Sequence, residues 1–289
     1  MNKTVKWVLI VLVLIIAAGG VFAYTAIAGD DIDEAILNVE EGSVEVDQGS
    51  GYKTATDRMD LSLNDKIKTG EGTASVTFFE GVIVELDKNT EITIRQLSEK
   101  NIGIKQEKGA TWSKFTAVTG VQSQTIETPT SVATVRGTEF GVTVNEEDGE
   151  EWVEVGENQV EIKTAGQVVL MNEFEKAIKQ KEEQWGKKEL TKEDKMKMIA
   201  KAKKSLNRMK KMRERMLEKK RVQRMMNIIG VNKEKAMETF DKIDRGELNE
   251  DNLIEKSPIK PKVMQRMVRL NKEVRKQQEL IKKMEASLA

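Results

Sequence analysis

The stretch Glu127–Val144, which reads ETPTSVATVRGTEFGVTV, constrains the fold more than any other part of the chain. Pro129 fixes φ and lacks the N–H that a central strand donates, so it ends one strand and precedes the next. From Val132 the residues alternate in character, and Thr138 and Phe140 fall on one face at the two-residue period of a β-strand. The stretch therefore predicts a turn followed by a strand with one buried face.

Arg136 and Gly137 lie inside this strand pattern. A glycine within a strand usually marks a bulge or a close backbone approach. An arginine between Val135 and Phe140 is costly to bury unpaired, so we expect Arg136 to meet a carboxylate or backbone carbonyls. Its predicted role is to pin one turn of the β fold onto another, and binding of a ligand is the alternative.

Short strands separated by turn residues continue over residues 36–170. Thr73–Phe79 and Val82–Leu86 flank a tight corner at Gly81, and Asp87–Thr90 reads as a second turn. Turn signals at this regular spacing are typical of a sandwich, a barrel or a solenoid of short strands. We therefore predict an all-β domain over residues 36–170.

Three motifs in this region resemble the FecR domain family, the extracytoplasmic β domain of iron-dicitrate-type surface-signalling regulators. They are NDKIKTG at residues 64–70, FEG followed by LDKNTEI within residues 79–92, and TPTSVATVRGTEFGV at residues 128–142. Asn64 stands where the family has glycine. The resemblance favours a twisted, solenoid-like stack of strands over a closed barrel. It implies that the motif residues are critical to the fold: Asp65, Thr69, Gly70, Gly81, Asn89, Thr90, Thr128, Pro129, Val135, Arg136, Gly137, Thr138 and Phe140.

An uncharged, mostly apolar run occupies residues 7–29 and follows a short segment, residues 1–6. About 20 apolar residues are enough to span a bilayer as a helix. Lys3 and Lys6 precede the run and Asp30 follows it, so the positive-inside tendency predicts a cytoplasmic N-terminus. We expect a single-pass protein of the cell membrane with the bulk of its chain outside. A cleaved signal peptide with Ala26–Ala28 as its cleavage site is the alternative.

FecR-family regulators carry a cytoplasmic segment that binds a sigma factor before their membrane helix. Residues 1–6 are too few to fold or to bind such a factor in that way. We therefore do not expect the sigma-regulating output of the family, although recognition by the β domain is retained in the prediction.

The composition changes after Leu170 to that of charged helices. Residues 1–170 hold 14 basic and 28 acidic residues, whereas residues 171–289 hold 34 and 20, so the two parts carry opposite net charges near −14 and +14. Thr191 resembles the first residue of a capping box, and Asn232 is suited to cap a later helix. These signals predict a basic helical tail over residues 171–289.

The last predicted helix carries a heptad seam over residues 263–288. Gln277 is the polar interruption of the seam, and Leu206 begins a similar spacing in the longer helix. The two helices are therefore able to pair as an antiparallel hairpin, and the seam is also suited to join copies of the chain into a homo-oligomer. Its residues are Val263, Met267, Leu270, Val274, Ile281, Met284 and Leu288.

The chain contains no cysteine and no histidine. Disulfides, Cys/His zinc sites, a cysteine nucleophile and a Ser-His-Asp triad are therefore excluded. We expect no catalytic residue, no cofactor and no metal site, although a carboxylate pair that hydrolyses an envelope polymer is an enzymatic alternative. The basic helices are able to neutralise phosphates, but nucleic acid is not an expected partner outside the cell.

Together these features predict a membrane-anchored, extracytoplasmic binding or scaffold module of the cell envelope. The β domain would recognise a protein or ligand, and the basic tail would dock to another envelope protein or to an anionic envelope polymer. In a third hypothesis the basic tail closes on the acidic β half as an intramolecular clamp, and that contact is weakened by salt.

Overall fold

The computed structural model describes residues 32–116, 118–180, 184–228, 230–249 and 262–288. The chain divides into two compact units. We call the unit of Ile32–Lys210 and Glu273–Ala289 the sheet unit, and the unit that includes Lys211–Lys272 the helical unit.

Within the described residues the chain forms 17 short strands and four helices. The strands are β1 (Ala35–Glu41), β2 (Glu45–Asp47), β3 (Tyr52–Thr54), β4 (Met59–Asp60), β5 (Lys66–Lys68), β6 (Thr73–Phe78), β7 (Val82–Leu86), β8 (Glu91–Leu97), β9 (Asn101–Phe115), β10 (Ser123–Glu127), β11 (Val132–Val135), β12 (Glu139–Val144), β13 (Glu150–Glu157), β14 (Val160–Lys163), β15 (Val168–Met171), β16 (Lys176–Gln180) and β17 (Gly186–Lys188). The helices are α1 (Lys192–Glu218), α2 (Lys220–Ile228), α3 (Lys233–Asp244) and α4 (Lys262–Ala286).

The strands form one 17-stranded mixed sheet with two halves that share β9. One half has the order β4-β1-β6-β7-β9-β12-β13-β16-β17, and the other has the order β3-β2-β5-β8-β9-β10-β11-β14-β15. The β9–β10 pair is parallel. Leu37 and Phe140 of the first half share one apolar core with Ile67, Ile92 and Ile126 of the second, so burial of apolar side chains between the halves holds the sheet together.

Gly109 lies where β9 passes from one half of the sheet to the other. Its φ is +82°, in the region that favours glycine. A Cβ at this position would lie 2.4 Å from the Cα of Thr90, closer than real side chains approach backbone. The crossing therefore requires glycine on both conformational and steric grounds.

The predicted fold class is wrong. The chain is not an all-β domain followed by a separate coiled-coil tail, because residues 192–210 and 273–288 belong to the same compact unit as the strands. The strands form a mixed open sheet and continue past Leu170 to Lys188. The apolar residues Ile281 and Met284 of the last helix are covered within the sheet unit itself.

The predicted N-terminal segments, residues 1–6 and the membrane helix over residues 7–29, lie outside the described residues. In the part of the chain that the structure describes, no helix is both long and apolar enough to cross a membrane.

Two predicted helix starts are confirmed. Thr191 Oγ1 accepts a bond from the N–H of Asp194 at 3.1 Å, and Asp194 accepts bonds from the N–H and hydroxyl of Thr191, which is the reciprocal pattern of a capping box. Burial alone would raise the pKa of Asp194, but hydrogen bonds from Lys176 and Thr191 lower it to about 2. Asn232 accepts a bond from the N–H of Lys235 and caps α3.

A buried arginine organises the helical unit. Arg213 of α1 donates to both carboxylate oxygens of Asp244 at 2.8 and 2.9 Å and to Asn271 of α4 at 3.0 Å. Its guanidinium also lies 4.4 Å from the ring centroid of Phe240. Charge-assisted, two-point bonding of this kind fixes geometry as well as supplying energy, so Arg213 joins α1 to α3 and α4 within this unit.

Candidate recognition surface and helix contact of the sheet unit

The outer face of β11, β14 and β15 carries a polar groove of 840 Å³. Thr134 lies opposite Glu161, and Glu161 lies opposite Leu170, so these side chains form one row across the three strands. Arg136, Gln159 and Asn172, at the ends of the same strands, continue the groove. We call this concavity the Arg136 groove.

Arg136 is exposed in this groove, not buried as the sequence predicted. Ala133 and Val135 face the core, and the two-residue strand period therefore directs Arg136 outward. At Gly137, where φ is +80°, the alternation shifts by one residue, so that Thr138 and Phe140 face inward again. The inward position of Thr138 and Phe140 agrees with the sequence pattern, and the shift explains why Arg136 does not share it.

The groove has an uncompensated positive charge. Glu161 pairs with Lys163 at 2.7 Å, and Glu173 pairs with Lys283 at 2.5 Å. The Arg136 guanidinium makes no ion pair or hydrogen bond with any residue that the structure describes. An exposed guanidinium presents several N–H donors in a fixed plane, which suits a carboxylate of a partner.

The first residues of the third motif build the turn before β11. Thr128 Oγ1 donates to the buried carboxylate of Glu151 at 2.7 Å and accepts from the N–H of Ser131 at 3.0 Å. Ser131 donates to the same carboxylate at 2.9 Å. Pro129 is exposed at the bend. Thr128 therefore joins this turn to Glu151 of β13, a residue that the sequence pattern did not indicate.

The Thr69 and Thr90 side chains join two further motif turns. Thr69 Oγ1 donates to the carbonyl of Asp87 at 2.7 Å and accepts from the N–H of Thr90 at 2.9 Å. Thr90 Oγ1 donates to the carbonyl of Ala110 at 3.1 Å. The Asn89 N–H donates to the Gly70 carbonyl at 2.6 Å, with φ values of +55° at Asn89 and +48° at Gly70.

The Asp65 and Gly81 turns complete the motif set. The Asp65 carboxylate accepts from the N–H of Ser62 at 2.9 Å and from Gln48 at 2.8 Å. Asn64, which stands where the family has glycine, has a φ of +71°, a conformation that asparagine tolerates better than most residues. A Cβ on Gly81 would lie 2.2 Å from the hydroxyl of Thr119. These residues occupy turns, whereas Arg136 lies on the open face.

A buried carboxylate joins the helices to the sheet within the same unit. Glu139 of β12 is fully buried and accepts from Trp112 Nε1 at 2.8 Å and from Gln277 Nε2 of α4 at 2.7 Å. Gln277 also donates to the carbonyl of Ala202 in α1 at 3.1 Å. We call these bonds the Glu139 latch. The polar interruption at Gln277 was the only sequence signal for it, because Glu139 alone shows no pattern.

A second charged contact lies along α1. Arg208 bonds to Glu85 at 3.2 Å and to Glu40 at 2.5 Å, and Lys204 lies 3.3 Å from Glu85. Burial raises the pKa of Glu85, although Arg208 and Lys204 act in the opposite direction. Lys201 lies 5.2 Å from the ring centroid of Trp112. Basic residues of α1 therefore pack on acidic residues of the sheet.

The heptad seam is filled within the chain. Ile281 and Met284 pack in one buried cluster with Trp112, Met198 and Ile199. The predicted antiparallel pairing of α1 and α4 is confirmed by bonds from Lys195 to the carbonyl of Ser287 and from Gln277 to that of Ala202. Leu288 is partly buried against the same cluster, and the other seam residues are buried: Val263, Met267, Leu270 and Val274. The seam therefore does not present an open surface to a second copy.

Among the residues that the structure describes, no group of three or more acidic side chains is placed to hold a metal ion.

The family model described as FecR protein matches residues 65–161. This match confirms the resemblance to the FecR family over that segment, which holds most of the turns described above. No curated protein sequence matches the chain.

Two crystal structures of a protein from Parabacteroides distasonis ATCC 8503, provisionally described as an anti-sigma factor, are similar to the chain. Both show 20% sequence identity and a TM-score of 0.39. The first match covers 45% of this chain and 60% of that protein, and the second covers 43% and 59%. The chain thus spans less than two thirds of the length of these proteins.

Proposed function

We propose that residues 65–161 form a FecR domain and that the chain is a non-enzymatic recognition module of the cell envelope. This module has a role in signalling or regulation. The sheet unit binds a partner protein through the Arg136 groove. The observation that carries this proposal is the exposed position of Arg136, a residue of the family motif, in a groove whose two carboxylates are already paired.

The chemistry of the groove indicates what the partner surface offers. The Arg136 guanidinium suits a carboxylate, which it is able to hold by two parallel hydrogen bonds. Gln159 and Asn172 bond to each other at 2.9 Å beside it and have further amide donors and acceptors. A polar groove with one unpaired cation favours an acidic protein segment, and electrostatic complementarity of this kind governs specificity and association rate more than affinity.

Site-specific photo-crosslinking in intact cells tests the proposal. A benzoylphenylalanine replaces Gln159 in the groove, and the control carries it at Lys53, which is exposed on β3 at the opposite edge of that half of the sheet. We expect a defined adduct from position 159 and none from position 53, and we expect Arg136→Glu to abolish the adduct. An adduct that forms equally from both positions, or that persists in Arg136→Glu, contradicts the proposal.

A second role is favoured by the contact between α1 and the sheet. We propose that the basic segment 192–210 acts as an intramolecular clamp on Glu85 and Glu40, one that salt weakens. At about 1 M salt the Debye length falls to about 3 Å, which screens the partly exposed Lys201–Asp87 contact between α1 and the sheet more than the buried Glu85 contact. Hydrogen exchange of α1 should therefore rise moderately between low and high salt. Exchange that does not change with salt contradicts the clamp.

A further inference from the structure

β15 forms one edge of the half of the sheet that carries the Arg136 groove. Among the described strands it pairs only with β14. The pairing is antiparallel, with Val160 opposite Met171 at one end and Lys163 opposite Val168 at the other. An edge strand presents backbone donors and acceptors that a further strand is able to use.

The hairpin before β15 determines which residues face that edge. Thr164 donates its N–H to the carbonyl of Gln167 at 2.9 Å, so these two residues form a hydrogen-bonded pair. In an antiparallel ladder such pairs alternate with pairs that do not bond to each other. Val169 and Met171 therefore bond towards β14, and the N–H and C=O groups of Val168 and Leu170 point away from it.

The side chains at this edge are apolar and exposed. Val168 is 63% exposed and Leu170 is 51% exposed, and they are two of the five most exposed large apolar residues among those described. Proteins usually protect an edge strand with lysine, proline or a bulge. β15 has the sequence VVLM and contains none of these.

We propose that β15 receives an extended segment of a partner protein as an added strand. The segment has apolar or β-branched residues at alternate positions, which cover Val168 and Leu170, and a carboxylate at the end that lies beside Asn172. Arg136 is two strands inward from the edge, about 10 Å at the usual strand spacing, and the chain beyond the added strand is able to bend into the groove to reach it. This inference rests on the proposed function and adds the form in which the partner binds.

The test begins with a library of random nine-residue peptides displayed on phage and selected on the purified full chain. Enriched peptides are synthesised, and their affinities are measured by fluorescence anisotropy. Each peptide is also made with N-methyl groups on one or the other set of alternate amides. We expect methylation of one set to lower affinity about tenfold or more and methylation of the other set to have little effect, because only one set faces β15.

Two variants at one position provide the matched control. Leu170→Pro removes an N–H that faces the edge and keeps the bonds to β14, whereas Leu170→Thr removes the leucine side chain and keeps the N–H. The proline variant should lower affinity about tenfold more than the threonine variant. Circular dichroism spectra that match the parent establish that both variants fold.

The outcomes separate this inference from the proposed function. If Leu170→Pro lowers the peptide affinity and Arg136→Gln does not, the result supports the added strand and overturns the role of the groove. The reverse result supports the groove and overturns the added strand. Failure to enrich any peptide, equal effects of the two methylated sets, or a dimer of the chain that Leu170→Pro dissociates would each overturn the inference.

Discussion

The Glu139 latch allows a sharp prediction about how the helices are held on the sheet. Gln277→Met keeps the size of the side chain and its place in α4, but it removes the amide that donates to Glu139 at 2.7 Å. The carboxylate then retains the Trp112 bond at 2.8 Å and the ammonium of Lys114 at 3.9 Å. The buried carboxylate is then left with fewer hydrogen-bond donors.

The expected loss of stability is modest because two effects oppose each other. A hydrogen bond to a charged group contributes about 1.5–3 kcal/mol. Gln277 Oε1 is buried without a partner in the described residues, and its removal returns about 1 kcal/mol. We therefore expect Gln277→Met to lower the free energy of unfolding by about 0.5–2 kcal/mol.

Urea denaturation followed by tryptophan fluorescence measures this change. Gln278→Met is the matched control, since it makes the same substitution one residue further along α4 at a partly exposed position. The control should change stability by less than about 0.5 kcal/mol. If Gln277→Met is as stable as the parent or more so, or if the control loses as much, the latch does not hold α4 in the way described.

Three further predictions concern the helix contact, the first turn of α1 and the turns of the sheet. Arg208→Gln removes a counter-charge from the buried Glu85. It should lower the free energy of unfolding, measured in urea, by about 3 kcal/mol. A decrease of less than about 1 kcal/mol would contradict this prediction. The pKa of Asp194 is lowered to about 2. Its ionised form therefore stabilises the fold fully at pH values above about 3.9, the ordinary pKa of an aspartate. That contribution, about 1 kcal/mol after solvent screening, should be lost as the pH falls towards 2, and Asp194→Asn should remove this pH dependence. Gly109→Ala should destabilise the chain by at least about 2 kcal/mol more than Gly137→Ala. A Cβ at position 109 would lie 2.4 Å from backbone, whereas nothing lies within 4 Å of a Cβ at position 137. Similar shifts in melting temperature for the two variants would refute the steric argument.

The strand pattern predicted local structure well where alternation is unbroken. Thr138 and Phe140 share the buried face that their spacing indicates. Arg136 was expected to be buried because Val135 and Phe140 flank it, but the positive φ of Gly137 shifts the alternation by one residue between Arg136 and the inward face of Thr138 and Phe140. A sequence pattern shows that a glycine interrupts a strand, but it does not show whether the faces exchange there.

The helical seam shows the complementary limit. Its heptad spacing correctly indicated that Ile281 and Met284 are buried, but amphipathic spacing does not identify the covering surface. The cover is the sheet unit and α1, not a second copy of the chain. Glu139 was missed for a related reason, since its partner Gln277 lies 138 residues away and such distant pairs leave no local pattern.

Thiol labelling tests the central claim most directly, namely that the face around Arg136 is open to a partner and the helical seam is closed. The chain contains no cysteine, so Arg136→Cys and Ile281→Cys each introduce a single thiol. In the purified full chain we predict that position 136 reacts with a maleimide as fast as in urea. Position 281 should react at least about a hundredfold more slowly, because it must wait for local opening. Comparable rates at the two positions, or protection at 136, would contradict the account.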